Sequence, residues 1–150
     1  MAAAIAALWT MEGAGMAMAE QGAKGPDGLP IIFWTIKQND QAKVAALLDN
    51  GADIEAAGYH GATPILSAAM VDNWIMAEFL MQRGANIAAF DRAGFNLPYL
   101  TAHAKVAKGS PTEAALNRVR KALNDHGLLE RIWEPAEVRA LIKQGKWPPA

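Results

Sequence analysis

Cysteine is absent from the chain, so neither disulfide bonds nor thiolate chemistry contributes to its stability or function. Histidine is scarce: His60, His103 and His126 are widely spaced, and none belongs to an HxxxH or HExxH motif. Residues 49–55 are rich in side-chain oxygens, as calcium loops are, but His60 stands where such a loop needs its twelfth, acidic ligand. We therefore expect no metal ion and no cofactor.

The motifs of common catalytic sites are missing too. The chain has neither a phosphate-cradling G-x-x-x-x-G-K-[ST] loop nor a G-x-S-x-G nucleophile elbow. We predict that the protein is not an enzyme. A helical hydrolase or metal-dependent enzyme that uses His60 or His103 is the alternative.

Two further absences bear on the fold class. No stretch alternates apolar and polar residues over six or more positions, so the evidence for β-strands is poor. No apolar run is long enough to cross a bilayer, and we expect no membrane span. The hydrophobic share of 52% is inflated by alanine, as closely packed helix pairs require. The sequence therefore predicts an all-α protein.

Glycines recur at a fixed spacing. Gly51 and Gly84 each begin a Gly-Ala-Asp/Asn triplet and lie 33 residues apart, and Gly61 and Gly94 lie the same distance apart. Two independent pairs that share one period predict an internal repeat of a supersecondary unit.

The best-defined unit resembles an ankyrin repeat. Residues 58–69 are similar to the ankyrin opening D-x-x-G-x-T-P-L-H-x-A-A, although Leu66 replaces the usual histidine. Gly61 permits a backbone turn that a Cβ would strain. Thr63 is expected to cap the first helix, and Pro64 suits its first turn.

The resemblance implies an ankyrin-repeat solenoid of stacked helix-turn-helix units, of the small bacterial type with about three repeats plus caps. We place a capping repeat at 28–56, a full repeat at 57–89, a third repeat at 90–127 and a C-terminal cap at 128–150. The second helix of the full repeat, residues 74–83, is expected to end at Gly84. A generic α-helical bundle is the alternative fold.

The third repeat is longer than the others. Gly84 and Gly127 lie 43 residues apart, which predicts an insertion of ten residues around 108–112. Ser110 begins a capping box and predicts a helix that runs to about Asp125. A last helix, the C-terminal capping helix, is predicted over 136–144.

The first 25 residues form a separate leader. An apolar stretch at 1–9 is followed by Ala17-Met18-Ala19, which has the small-x-small form of a signal-peptidase site. Against a signal peptide, no Lys or Arg precedes the apolar stretch, and Glu12 interrupts the usual apolar core region of such a peptide. We favour a signal peptide and export to a bacterial periplasm. A disordered leader on a cytoplasmic protein is the alternative.

The net charge of −1 conceals an asymmetry between the two parts of the chain. Residues 1–100 carry five basic and ten acidic groups, whereas residues 101–150 carry nine basic and five acidic groups. Solvated helix faces explain this most simply. The alternative is a basic patch for an acidic protein partner, formed by Lys105, Lys108, Arg118, Arg120 and Lys121. Nucleic acid is not expected as a partner, because the sequence pI is 6.3 and the sequence has no DNA- or RNA-binding motif.

Ankyrin repeats bind partners through a concave side made of turn tips and inner helices. The resemblance assigns ten residues to that side: Tyr59, His60, Ala62, Met70, Val71, Arg92, Phe95, His103, Lys37 and Gln38. Apolar and aromatic side chains at open positions are typical of protein-binding hot spots. For Met70 and Phe95, packing against neighbouring repeats is the alternative interpretation.

The large aromatic residues are expected to serve the core. Trp34, Trp74 and Phe79 are assigned to it, and Trp133 and Trp147 are expected to seal the C-terminal end of the solenoid. A second binding surface at that end, or at the insertion, is the alternative.

The resemblance implies a non-catalytic protein–protein interaction module. Its most concrete form is an inhibitor or immunity-type protein that neutralises a cognate bacterial toxin or enzyme. An adaptor that supports its partner without inhibiting it is the alternative. We expect another protein as partner, no nucleic acid, no small-molecule substrate, and a monomer when the protein is free.

Overall fold

A computed structural model describes residues 22–148 and contains seven α-helices and no β-strand within that range. The described part divides after Asp53 into two compact units. The all-α prediction is confirmed. Residues 1–21, which include the predicted signal-peptidase site, lie outside the described residues.

The first unit is a helical hairpin of α1 (Ile31–Lys37) and α2 (Gln41–Asp49). Asp40 caps α2, because its carboxylate accepts a hydrogen bond from the Lys43 N–H at 2.9 Å. Buried apolar side chains hold the two helices together: Ile32, Phe33, Ile36, Val44 and Leu47. Trp34 is only half-buried, so its assignment to the core is wrong in part.

Folded structure begins earlier than the predicted leader boundary at residue 25. The Ile31 N–H donates to the Ala23 carbonyl at 2.9 Å, and the Gly25 N–H donates to the Leu29 carbonyl at 2.8 Å. The Lys37 Nζ also lies 2.6 Å from the Asp27 Oδ2, and this hydrogen-bonded ion pair lowers the pKa of Asp27. These bonds make residues 23–25 part of the first unit.

The second unit opens with the full repeat, in which α3 (Pro64–Met70) and α4 (Trp74–Gln82) pack against each other. Ala68 and Ala69 are buried and lack bulk, so neighbouring helices approach closely over them. Trp74 is fully buried, as predicted, whereas Phe79 is half-buried with the Arg83 guanidinium 5.8 Å from its ring. Phe79 is therefore a boundary residue rather than a core residue.

The predicted cap of α3 is half right. Thr63 occupies the N-cap position before Pro64, but its side chain accepts no hydrogen bond from the helix. Its hydroxyl is buried and has no partner among the described residues. The position was predictable from local sequence, whereas the side-chain orientation depends on the surrounding packing.

In the third repeat, Asn96 caps α5 (Leu97–Ala102) and Ser110 caps α6 (Pro111–Asp125). The predicted ends of α6 are confirmed. The insertion is not a simple loop at 108–112. Part of it lengthens the connection between α5 and α6, residues 103–110. The rest lengthens the second helix of the repeat, since α6 has 15 residues and the equivalent helix α4 has 9. The added length gives α6 a long contact with α4.

The last helix, α7 (Pro135–Lys143), begins and ends one residue before its predicted bounds. Glu134 and Glu137 form a capping box, and hydrogen bonding to the Glu134 N–H, with the Arg131 ion pair, lowers the pKa of Glu137. The rings of Trp133 and Trp147 meet edge to face at 5.7 Å, and Trp147 also meets Phe90 at 5.6 Å. The two tryptophans thus pack at the C-terminal end of the second unit.

Within residues 22–148, none of the helices is both long and apolar enough to cross a membrane.

Gly94 lies directly against the backbone at the start of α7. Its φ is 90°, and a Cβ built on it would lie 2.1 Å from the carbonyl oxygen of Pro135, at the start of α7. Gly84 has almost the same φ, 92°, but a Cβ there would meet nothing within 4 Å. The two glycines share the backbone constraint and differ in their surroundings.

We therefore predict that Gly94→Ala destabilises the protein by about 3 kcal/mol or more, since it combines left-handed strain with overpacking. Gly84→Ala, with the strain alone, should cost about 1 kcal/mol. Urea denaturation of both variants measures the difference. Equal losses of stability would show that α7 does not rest on the Gly94 turn.

Candidate protein-binding surface

The turn before α3 projects two of the predicted binding residues into solvent. Tyr59, His60 and Gly61 form a single 3₁₀ turn, with His60 and Gly61 in the left-handed region at φ 53° and 75°. Tyr59 is 60% exposed and His60 is exposed. The Arg92 N–H donates to the His60 carbonyl at 2.8 Å, which joins this turn to the corresponding turn of the next repeat.

A second exposed apolar tip lies at the other end of α3. Val71 is 71% exposed and Met70 is 39% exposed, so Met70 does not pack as a core residue. Asp72 follows them with φ 55°, and its carboxylate accepts hydrogen bonds from the Trp74 indole at 2.9 Å and the Lys105 N–H at 3.2 Å. These two bonds fix the tip to α4 and to the connection after α5.

Three rings form a row that begins just before α5 and ends at its C-cap, which we call the aromatic row: Phe95, Tyr99 and His103. Phe95 and Tyr99 meet at 5.8 Å between centroids, and Tyr99 stacks on His103 at 4.1 Å. Phe95 and Tyr99 are half-buried and His103 is exposed, so the row is open to solvent along part of its length. Phe95 therefore packs within its own repeat and still presents an edge.

Tyr99 is a member of this surface that the sequence analysis missed. The displaced proline at Pro98 obscured the ankyrin register beyond Leu97. The i, i+4 spacing of Tyr99 and His103 was the available signal, because side chains four residues apart lie on the same side of a helical turn.

Ala62 was wrongly predicted as a binding residue. It is 3% exposed, because its N–H and carbonyl close the turn through bonds to Tyr59 and Gly58 and its methyl group points away from solvent. Lys37 and Gln38 are exposed at the end of α1 in the first unit. Arg92 is exposed, with its guanidinium close to Gly61.

The five cations of the predicted basic patch are largely engaged within the fold. Arg118 forms a bidentate pair with Glu78 of α4, Arg120 donates to the Thr101 carbonyl, and Lys121 pairs with Asp125 at 2.6 Å. The hydrogen bond to Glu78 raises the pKa of Arg118. This supports the simpler interpretation of solvated, internally paired helix faces.

The Glu78–Arg118 pair joins α4 to α6, and the Glu78 residue is only 8% exposed. We predict that Arg118→Gln lowers the melting temperature clearly, because the nearly buried Glu78 carboxylate loses its cationic partner and keeps only the hydrogen bond from the Gln82 amide. Lys121→Gln should change the melting temperature little, since its pair lies in solvent. A smaller effect of Arg118→Gln than of Lys121→Gln would contradict this role of the pair.

Two histidines have structural partners. Nδ1 of His103 lies 2.9 Å from the Tyr99 carbonyl, and Nδ1 of His126 lies 2.8 Å from the Ala122 carbonyl, each at the C-terminal end of its own helix. Within the described residues, no group of three His, Asp or Glu side chains is arranged to hold a metal ion.

A cavity of about 300 Å³ lies at the C-terminal end of the second unit. Its walls include Leu128, Glu130, Trp133, Trp147 and the buried Asn96. The Asn96 amide is already used, since it donates to the Gly94 and Trp133 carbonyls at 3.1 and 3.2 Å. The cavity is thus mainly an apolar gap beneath the tryptophan pair.

Residues 60–92 match the ankyrin repeat family model. This match covers the left-handed turn, α3, α4 and the closing segment that precedes the next turn. The chain contains an ankyrin repeat. No curated protein matches the chain. Ankyrin repeats mediate protein–protein interaction, so the exposed tips of the repeat are the surface on which to look for a partner.

Proposed function

We propose that this ankyrin-repeat protein binds a partner protein, without catalysis, through one surface of its second unit. That surface, the binding surface, consists of the two apolar tips and the aromatic row: Tyr59, His60, Met70, Val71, Arg92, Phe95, Tyr99 and His103. The observation that carries the proposal is the exposure of Tyr59 and Val71 at positions held rigidly by backbone bonds.

The composition of this surface supports protein recognition. Exposed apolar side chains gain free energy when a partner covers them, about 1.5–3 kcal/mol for a fully buried Val. Aromatic residues and Arg are enriched in protein interfaces, and Tyr59, Tyr99 and Arg92 provide them here. The turns are already ordered by internal hydrogen bonds, so binding would immobilise little additional chain.

The most concrete form of the proposal is an inhibitor or immunity-type protein that occupies the working surface of a bacterial toxin or enzyme. A rigid surface with apolar tips at both ends of one helix suits tight occupation of a partner. Export to a periplasm belongs to the same proposal, and N-terminal sequencing of the mature protein tests it. An intact Met1 or Ala2 would contradict export.

An adaptor is the second candidate function, and one observation favours it. The C-terminal end carries its own exposed apolar residues, Ile132 at 41% and Ile142 at 37%, near the cavity beneath Trp133 and Trp147. Two separate surfaces would allow two proteins to be held at once.

Capture on the full chain tests the binding surface. We predict that the wild-type protein recovers one partner at one-to-one stoichiometry from cells that produce it, and that Tyr59→Ser/Val71→Ser loses this partner. Ile132→Ser is the control, because it removes an exposed apolar side chain outside the binding surface. A partner retained by the double variant and lost by the control would move the site to the C-terminal end.

The captured partner then separates the two functions. We predict that its activity falls to zero when one equivalent of the ankyrin-repeat protein is added, since the inhibitor occupies the working surface. Unchanged activity in a stable complex, measured by co-elution in gel filtration, would favour the adaptor instead.

A further inference from the structure

The aromatic row has cations at both of its ends. Arg92 lies in the turn that leads into Phe95, and Lys105 follows His103 by two residues; both side chains are exposed. Neither takes part in an ion pair between described residues. Arg139 of α7 adds a third cation, since its guanidinium donates to the Ala93 carbonyl at 2.7 Å beside Arg92.

Three carboxylates on neighbouring segments already accept hydrogen bonds within the fold. Asp91 is 4% exposed and accepts a hydrogen bond from the Phe95 N–H at 2.8 Å. Asp72 accepts from the Trp74 indole and the Lys105 N–H, as described above. Glu137 binds Arg131 and the Glu134 N–H. These carboxylates hold the fold together, while the cations project their charge into solvent.

We infer that the binding surface receives a short, extended acidic segment of the partner protein, with a ring or apolar side chain between its carboxylates. This inference rests on the proposed protein-binding function and names the chemistry of the segment that fits it. Arg92 and Arg139 meet carboxylates at one end of the row, and Lys105 meets them at the other. The central ring packs on Tyr99.

The dimensions of the row set the length of the segment. Its two centroid separations, 5.8 and 4.1 Å, limit the row to about 10 Å. An extended chain advances roughly 3.3 Å per residue, so about three residues cover the rings. Carboxylates on either side of those three residues then lie within reach of the long Arg92 and Lys105 side chains. Charge-assisted hydrogen bonds to Arg are among the strongest available to a carboxylate.

Aromatic rings flanked by cations also suit single-stranded nucleic acid. An acidic peptide is favoured here because the chain has a net charge of −1. Arg120 also contacts α5, but its guanidinium is bonded to the Thr101 carbonyl. A nucleic-acid site normally requires a wider basic surface. Three cations of the predicted basic patch, Arg118, Arg120 and Lys121, are instead bonded within the fold.

The test uses the full chain and a defined peptide, acetyl-Asp-Asp-Ala-Tyr-Ala-Glu-Glu-amide, followed by NMR at low salt. We expect it to shift the resonances of residues 92–105, with the largest changes on the Tyr99 and His103 rings. The amide counterpart, with Asn and Gln in place of Asp and Glu, should leave these resonances unchanged. Arg92→Gln/Lys105→Gln should weaken binding of the acidic peptide by about fivefold or more.

The control is Lys121→Gln/Lys146→Gln, which changes the net charge by the same amount on other parts of the second unit and should leave the affinity unchanged. Equal weakening by both double variants, equal binding of the two peptides, or tighter binding of oligothymidylate than of the acidic peptide would overturn the inference. The outcome is separate from partner capture. A partner captured through Tyr59 and Val71, with no peptide shifts along the row, refutes the acidic segment alone, whereas failure of capture refutes the proposed function.

Discussion

The second unit depends on backbone turns in which one residue adopts the left-handed conformation. Gly61 and Gly94, with φ of 75° and 90°, reverse the chain at the same place in successive repeats. The Arg92 N–H to His60 carbonyl bond then ties one turn to the next, and the Gly94 Cα lies against the backbone of Pro135. Because the turns are fixed in this way, α3 packs against α5, and the start of α7 is held against the Gly94 turn.

Local sequence was sufficient to predict this framework. Glycine spacing, prolines in the first turn of a helix, and the cap at Ser110 act within a few residues, so α4, α6 and α7 lie within a residue or two of their predicted bounds. The errors concern side chains whose surroundings come from distant residues. Thr63 occupies its cap position without its hydrogen bond, and Trp34 and Phe79 are only half-buried. The burial of a side chain depends on which distant residues pack against it, and the spacing of residues in the sequence does not specify these.

The binding surface shows the same division. The exposure of Tyr59, His60 and Val71 could be predicted, because a turn tip and a helix end project from the fold whatever lies beside them. Ala62 could not, because closure of its own turn buries it. The row through Tyr99 also required the structure, since the insertion disturbs the repeat register at that point. Half of that insertion proved to be helix, and it changed the role of Arg118 from a surface charge to a partner of Glu78.

The fold separates stability from recognition. Its buried side chains, such as Ala68, Trp74 and Leu80, face neighbouring helices, and the carboxylates of Asp72 and Asp91 bond to backbone and indole donors. Each of these groups already has its partner within the chain. Tyr59 and Val71 are 60% and 71% exposed although their backbones are held in place by hydrogen bonds. On the proposed function, substitution at the tips would alter the choice of partner while the repeats stay folded, because the buried core lies elsewhere.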